Sequence, residues 1–379
     1  MRRERSQPRD GWEKTIEEHG LAYHRAVHPE HLTRPYWDES VHYVLEMDEV
    51  LSLEEQVEEL HRMCLEAAGH IVETGRYELL GVDERYAPAV EASWRRRDPH
   101  LYGRFDLHYD GKGGPGKLLE YNADTPTSLV EAAIVQWYWK EDVFPSDDQW
   151  NSLHERLVDR WREMPLRPGP VHFAWTELDA SGEDLMTIAY LQETAEQAGR
   201  TGVPTPMQHV GWDGEYYRDM DDAEIKTLCK LYPWEWIVSE PFGEFADEAD
   251  WVEPMWKMLL SNKAILAVLW ELFPGHPNLL PAYLDGPRDL VSHIRKPLLG
   301  REGASMAVTT PSYRTETSGA YGAEGHVFQE FVPLPEFDGQ HPVLGAWMVA
   351  DESAGLGIRE TSSLITDDTS SFVPHRIPL

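Results

Sequence analysis

Arg104, Asp106, Glu120 and Asn122 fall on two short alternating runs, RFDLHYD and KLLEYNAD, joined by the glycine-rich GKGGPG. Period-two alternation on either side of a turn that tolerates positive φ predicts a β-hairpin. Alternate residues of a strand share a face, so Arg104, Asp106 and His108 point one way on the first strand. Glu120 and Asn122 share a face on the second. Paired across the turn, Asp106, Glu120 and Asn122 make an oxygen-rich cluster with an arginine beside it. Oxygen donors of this kind suit Mg²⁺ better than zinc. The same residue types also describe the solvated polar face of an edge hairpin, and on their own they describe it better.

A second set supplies positive charge. Lys263 stands at the predicted N-terminal turn of a helix, Lys296 ends the strand HIRKP, and Arg301 lies in the following loop LLGREGAS. A glycine loop between two strands can fold over phosphates, its amides donating while nearby lysines neutralise charge. A lone lysine is more often a snorkelling surface residue. This chain has only nine lysines among 379 residues, which gives weight to two in apolar settings. No Walker P-loop, HExxH, CxxC pair or GxSxG elbow occurs. The histidines are scattered and read as surface or core residues. The residues alone therefore point to a nucleotide–Mg²⁺ enzyme and leave the reaction open.

The elements that must hold these residues follow from the patterning. Residues 1–11 read as a disordered arm, and Asp10 to His19 opens a helix. From His28 a loop leads into aromatic-rich structure around Tyr36 and Trp37. Leu51 to Thr74 is a long amphipathic helix with Ser52 and Glu55 as its capping box. After the hairpin, Pro126-Thr127-Ser128 leaves the cluster and caps a helix, whose N-terminus would add donors for an anion. PLRPGP (Pro165 to Pro170) is the clearest linker. Beyond it VHFAW, PMQHV and EWIVSEP read as strands, with helices over Glu183 to Gly199 and Asp221 to Leu231. That alternation predicts a small α/β unit with a parallel sheet. From Trp251 a helix pair interrupted near Ser261-Asn262 leads into a run of strands and an ordered tail. The expected division is 12–165 with the hairpin, 166–250 for the α/β unit, and 251–379 for nucleotide binding.

Charge narrows the partners. The balance of 34 basic against 67 acidic residues, −33 in all, argues against nucleic acid or an anionic membrane surface. Cys64 and Cys229 lie far apart in helix-like contexts and fit a reducing compartment. The amino terminus has no apolar signal segment, and no apolar run approaches a membrane span. A cytoplasmic protein is expected.

The motifs together resemble a known family. RFD followed by EYNADTPTS, then LYPWEW, EPMWKMLLSNKAIL, HPNLLPA, KPLLGREG and the closing FVPH, is similar to glutathionylspermidine synthase-like sequences in their expected order. The likeness runs from about Trp12 to the end and is closest to stand-alone members without an amidase domain. It implies an α/β (α+β) ATP-grasp fold with a glutathionylspermidine synthase-type pre-ATP-grasp region. It also implies an ADP-forming ligase that joins a carboxylate to an amine through an acyl phosphate. Under it Asp106, Glu120 and Asn122 match Mg²⁺ ligands, and Arg104 matches the arginine that stabilises the acyl phosphate and the tetrahedral intermediate. Lys263 and Lys296 match lysines on the ATP phosphates, Arg301 the loop over the γ-phosphate, and Arg359 a second arginine near the transferred phosphoryl group. Gln329 and Glu330 fall on the adenine-side strand. The implied acid is a peptide or amino acid and the implied amine a polyamine. Where some full-length synthetases carry Ser-Ala-Ser-Cys-His, this chain has Thr125 to Leu129, TPTSL, which places glutathione as substrate in question. The competing reading is a catalytically silent ATP-grasp protein that binds nucleotide or peptide.

Overall fold

A computed structural model describes residues 1–25, 35–367 and 369–379. Most of the loop expected from His28 lies outside the described residues. The centre is a five-stranded antiparallel sheet in the order Ser371–Val373, Glu352–Thr361, His341–Val349, Tyr102–His108, Lys117–Asn122. The predicted hairpin forms its edge pair. Its odd-numbered apolar residues Phe105, Leu107 and Tyr121 face the long helix Met47–Thr74 and are buried with Leu53, Val57 and Leu60. The opposite face carries the polar residues. One strand thus serves core and site at once, because its side chains alternate.

The helix starts earlier than its Ser52–Glu55 pattern implied. Glu46 and Glu49 form the capping box instead, with the Glu46 amide donating to Glu49 at 3.0 Å. Ser52 sits inside the helix and accepts from Gln56.

A second antiparallel sheet orders Ala282–Tyr283, His326–Glu330, His293–Pro297, Ala307–Thr309, Arg314–Glu316. The loop between His293–Pro297 and Ala307–Thr309 is the one that carries Gly300 and Arg301. A third sheet is wholly parallel, ordered Asp250–Val252, Thr227–Lys230, Val171–Trp175, Gly202–Pro206. The helix Glu183–Gln197 makes the crossover between two of its neighbouring strands.

Three expected elements of this region differ. The strand expected at Pro206 to Val210 ends at Pro206, and Met207–His209 turns instead. The helix expected over Asp221 to Leu231 is a loop leading into the strand Thr227–Lys230. Asp219 accepts from the amides of Asp221 and Ala223, an Asx-type turn that competes with helix formation. Cys229 therefore lies in a strand and not a helix. The strand expected at EWIVSEP opens with one helical turn, Trp234–Ile237, whose first amide donates to Asp124 Oδ2 at 3.0 Å. A long-range cap from the hairpin end overrides the local β pattern.

The arm expected to be disordered is ordered. Arg2–Arg5 pairs antiparallel with Val41–Val44, which pairs in parallel with His375–Arg376. Arg3 donates to both oxygens of Glu360, at 2.8 and 2.9 Å, and Arg9 chelates Glu39. Arg3 and Arg9 are thus paired with buried carboxylates. Among the described residues no helix is long and apolar enough to cross a membrane.

Candidate functional site

The two antiparallel sheets face each other across a cavity lined by all ten residues singled out above. On the hairpin side, Arg104 lies opposite Asn122 and Asp106 opposite Glu120. Just past Asp106 the register slips by one residue, a bulge that ends the polar face. Arg104 donates through Nε to Asp106 Oδ1 at 2.7 Å and through Nη1 to the Thr127 carbonyl at 2.5 Å. Arg359, from the strand two places away, reaches the other oxygen, Asp106 Oδ2, at 2.7 Å. The Arg104 guanidinium also lies over the Trp347 ring, 5.7 Å from its centre. Gly345 makes room for this stack, since a Cβ there would come within 3.0 Å of Arg104 Cδ.

On the other side, Lys263 Nζ lies 3.1 Å from Glu120 Oε2 and donates to the Gly300 carbonyl at 2.6 Å. Lys296 donates to the Leu119 carbonyl and to Gln329 Oε1, both at 2.8 Å. Gln329 in turn donates to the Leu118 carbonyl at 2.9 Å, so the second sheet is fastened to the hairpin backbone. Arg301 reaches Glu235 at 3.2 Å and Thr125 at 3.3 Å, beside the Trp236 ring. Glu330 lines the cavity next to Gln329 and Phe331. The loop is tightly drawn. Gly303 has φ +68°, and a Cβ there would meet the Thr366 carbonyl at 2.5 Å.

Electrostatics follow from this packing. Burial would raise Glu120, but Lys263 and Lys296 with the Asn122 amide overcome it and hold the carboxyl down at about 2. Burial lowers Lys296 to about 8, with Glu120 opposing and Lys263 reinforcing that drop. The site is a balanced set of carboxylates and cations paired with one another.

A further group was invisible in the sequence. Beyond Thr127 stand Glu131, fully buried, and Glu183 and Asp184 at the first turn of the crossover helix. Burial first, and then Glu131, pushes Glu183 up to about 8. Burial and Asp179 push Asp184 up to about 7, and burial raises Glu131 despite the hydrogen bond it accepts from the Tyr36 hydroxyl. Acids held against ionisation in this way are places where a cation would be welcome. Taken one at a time in sequence, each looks like a helix-opening acid. Asp124 was also missed. It forms a buried pair with Lys230 at 2.5 Å and caps Trp234, which fixes the end of the hairpin.

Residues 3–378 match the family described as glutathionylspermidine synthase preATP-grasp. The chain belongs to this glutathionylspermidine synthase family. A Haemophilus influenzae protein named "Putative acid--amine ligase" is 40% identical, over 90% of each chain. Trypanothione synthetase of Crithidia fasciculata is 29% identical over 85% of this chain, which spans 54% of that protein. Bifunctional glutathionylspermidine synthetase/amidase of Escherichia coli is 25% identical over 83% of the chain and 56% of that protein. The chain thus spans about half the length of the longer synthetases. A glutathione synthetase-like effector of Globodera pallida shares the fold at TM-score 0.54 and 10% identity, covering 98% of each chain. The glutathionylspermidine synthase family member described here has the ATP-grasp fold and is an ATP-dependent acid–amine ligase.

Proposed function

We propose that the protein phosphorylates a peptide or amino-acid carboxylate with ATP and passes the acyl group to an amine, with a polyamine as the preferred acceptor. The observation that carries this reading is the pair of facing walls. One wall offers Lys263, Lys296 and the Arg301 loop for phosphates, and the other offers Asp106, Glu120 and Asn122 with two arginines.

The oxygen donors fit a divalent metal. Three side chains from adjacent strands converge with no nitrogen or sulfur ligand among them, which favours Mg²⁺. Asp106, Glu120 and Asn122 would hold it, and it would supply charge neutralisation at the phosphate oxygens. Lys263 and Lys296 bind the phosphate chain. Arg104 and Arg359 orient and stabilise the oxygens on which charge builds as the carboxylate attacks the γ-phosphorus and ADP departs. The amine nitrogen then attacks the acyl carbon, phosphate leaves, and the amide forms.

The amine needs a place and a proton acceptor. Glu183, Asp184 and Glu131 supply carboxyl groups beside Thr127, whose carbonyl holds Arg104. An ammonium entering there would let the carboxyls ionise, and one of them would take its proton as it reacts. Thr125, Pro126 and Thr127 line the cavity next to this group, where acyl-substrate selection is expected.

The test is ADP release over a matrix of acids and amines, with products identified by mass. Amide formed in step with ADP supports the reading. Tight ATP binding with no turnover for any pair would favour a silent nucleotide binder, and a stable phosphorylated product would point to a kinase.

A further inference from the structure

A second group of metal-ligating side chains lies away from the cavity. His61 on the long helix, His100 just ahead of the strand Tyr102–His108, and Asp351 in the turn between His341–Val349 and Glu352–Thr361 bring their ligand atoms together within 4.8 Å. We propose that these three residues form a binding site for a zinc-type divalent ion. The proposal is independent of the ligase reading.

Four features support it. The ligand set is two imidazoles and one carboxylate, a combination that zinc and its first-row neighbours accept and Mg²⁺ does not favour. The spacing is right. His61 Nε2 and His100 Nε2 lie 3.0 and 3.3 Å from the same oxygen, Asp351 Oδ1. Metal–ligand bonds of about 2.0–2.1 Å in a tetrahedron place neighbouring ligand atoms about 3.3 Å apart.

One imidazole also has its outer partner, while His100 Nδ1 is buried without one. The Tyr121 hydroxyl lies 3.2 Å from His61 Nδ1, which fixes that ring and turns Nε2 towards the shared point. The His100 ring is held edge-on against Trp256 at 5.3 Å and stacked near His61 at 5.8 Å. Finally, there is a way in. Both imidazoles are almost wholly buried, but the Asp351 side chain is 67% exposed, so an ion reaches the site from solvent and a water can complete its coordination.

The site's position gives it a role. His61 and Asp351 are 290 positions apart in the chain. An ion held there ties the helix to the ends of the strands that carry Arg104, Asp106 and Arg359. It would act as a clip, adding its binding free energy to the folded state.

The experiment is calorimetric titration of chelator-stripped protein with Zn²⁺ in excess Mg²⁺, which competes for the oxygen ligands of the cavity and not for two imidazoles. One zinc per chain and a raised Tm are expected. Asp351→Ala, compared with its own metal-free Tm because it also removes the partner of two buried imidazoles, weakens binding by roughly tenfold or more. Tyr121→Phe weakens it by about tenfold through the lost outer hydrogen bond. Cobalt in place of zinc gives the visible absorption of a four-coordinate ion, which Asp351→Ala abolishes. Absence of stoichiometric zinc overturns the proposal. So does zinc binding that is the same in Asp351→Ala, or that disappears in Asp106→Asn with Asp351 intact.

Discussion

Arg359 and Asp106 are 253 positions apart in the chain, yet Arg359 Nη2 donates to Asp106 Oδ2 at 2.7 Å. Arg104 holds the other oxygen of the same carboxylate, and Lys263 holds Glu120. Both carboxylates proposed for the metal are thus occupied by the cations proposed for the phosphates. Nucleotide must therefore draw the cations off before the metal can enter, and the two should bind as a unit. Mg²⁺ titrated alone is expected to bind weakly. A non-hydrolysable ATP analogue should raise its affinity at least tenfold, as calorimetry would show. Equal Mg²⁺ affinity with and without nucleotide would remove this exchange.

The arginines can be separated from the metal ligands by what survives. Arg104→Ala is expected to leave ATP affinity within a fewfold and to lower kcat by about 10²–10³, the usual cost of losing one preorganised charge at the reacting oxygens. Asp106→Asn should instead shift the Mg²⁺ dependence of turnover. A variant at Arg104 that only weakened ATP binding would contradict the role given to it.

Gly345 offers a change that leaves every charge in place. Gly345→Val puts side-chain bulk where Arg104 Cδ and Cγ now lie, so the guanidinium must leave the Trp347 face. Because the strand stays paired on both sides, the expected result is low kcat with a Tm reduced by only a few degrees, for an overpacking cost of about 1–3 kcal/mol. Unchanged kcat would show that the position of Arg104 on Trp347 does not matter.

The acids beyond Thr127 predict a pH dependence. Glu183 has its folded-state value raised to about 8 and Asp184 to about 7, both well above their unfolded values near 4. The folded protein holds these protons where the unfolded chain has released them. Stability therefore falls as pH rises from about 4 towards 8, the reverse of an ordinary paired carboxylate. Glu183→Gln should flatten that fall in a series of Tm measurements, and a polyamine should stabilise the protein most at the upper end. Glu183→Gln should also raise KM for the amine while leaving that for ATP unchanged.

Much of the site could be read from the chain because its residues sit on patterned elements. Alternation placed Arg104 and Asp106 on one face, and the scarcity of lysine drew notice to Lys263 and Lys296. The family likeness added Arg359, Gln329 and Glu330. What stayed hidden lay where local pattern and tertiary context disagree. Glu183 and Asp184 look like any acids in a helix's first turn until Glu131 and Thr127 are brought beside them. The run EWIVSEP reads as a strand until Asp124 caps the turn Trp234–Ile237. His61, His100 and Asp351 have no spacing signature, since three separate elements contribute one ligand each.

The pairing of Arg3 with Glu360 has a practical side. Glu360 is fully buried, receives the Tyr43 hydroxyl at 2.6 Å, and is the immediate neighbour of Arg359. Proteolytic trimming of the first few residues, or a fusion that displaces them, would strip a guanidinium from a buried carboxylate at a cost of about 3–5 kcal/mol. The strand that carries Arg359 would bear that cost. A short segment that looks dispensable in the sequence is a strut for the wall that carries Arg104, Asp106 and Arg359, and shortened or amino-terminally fused versions of this protein should lose activity before they lose their fold.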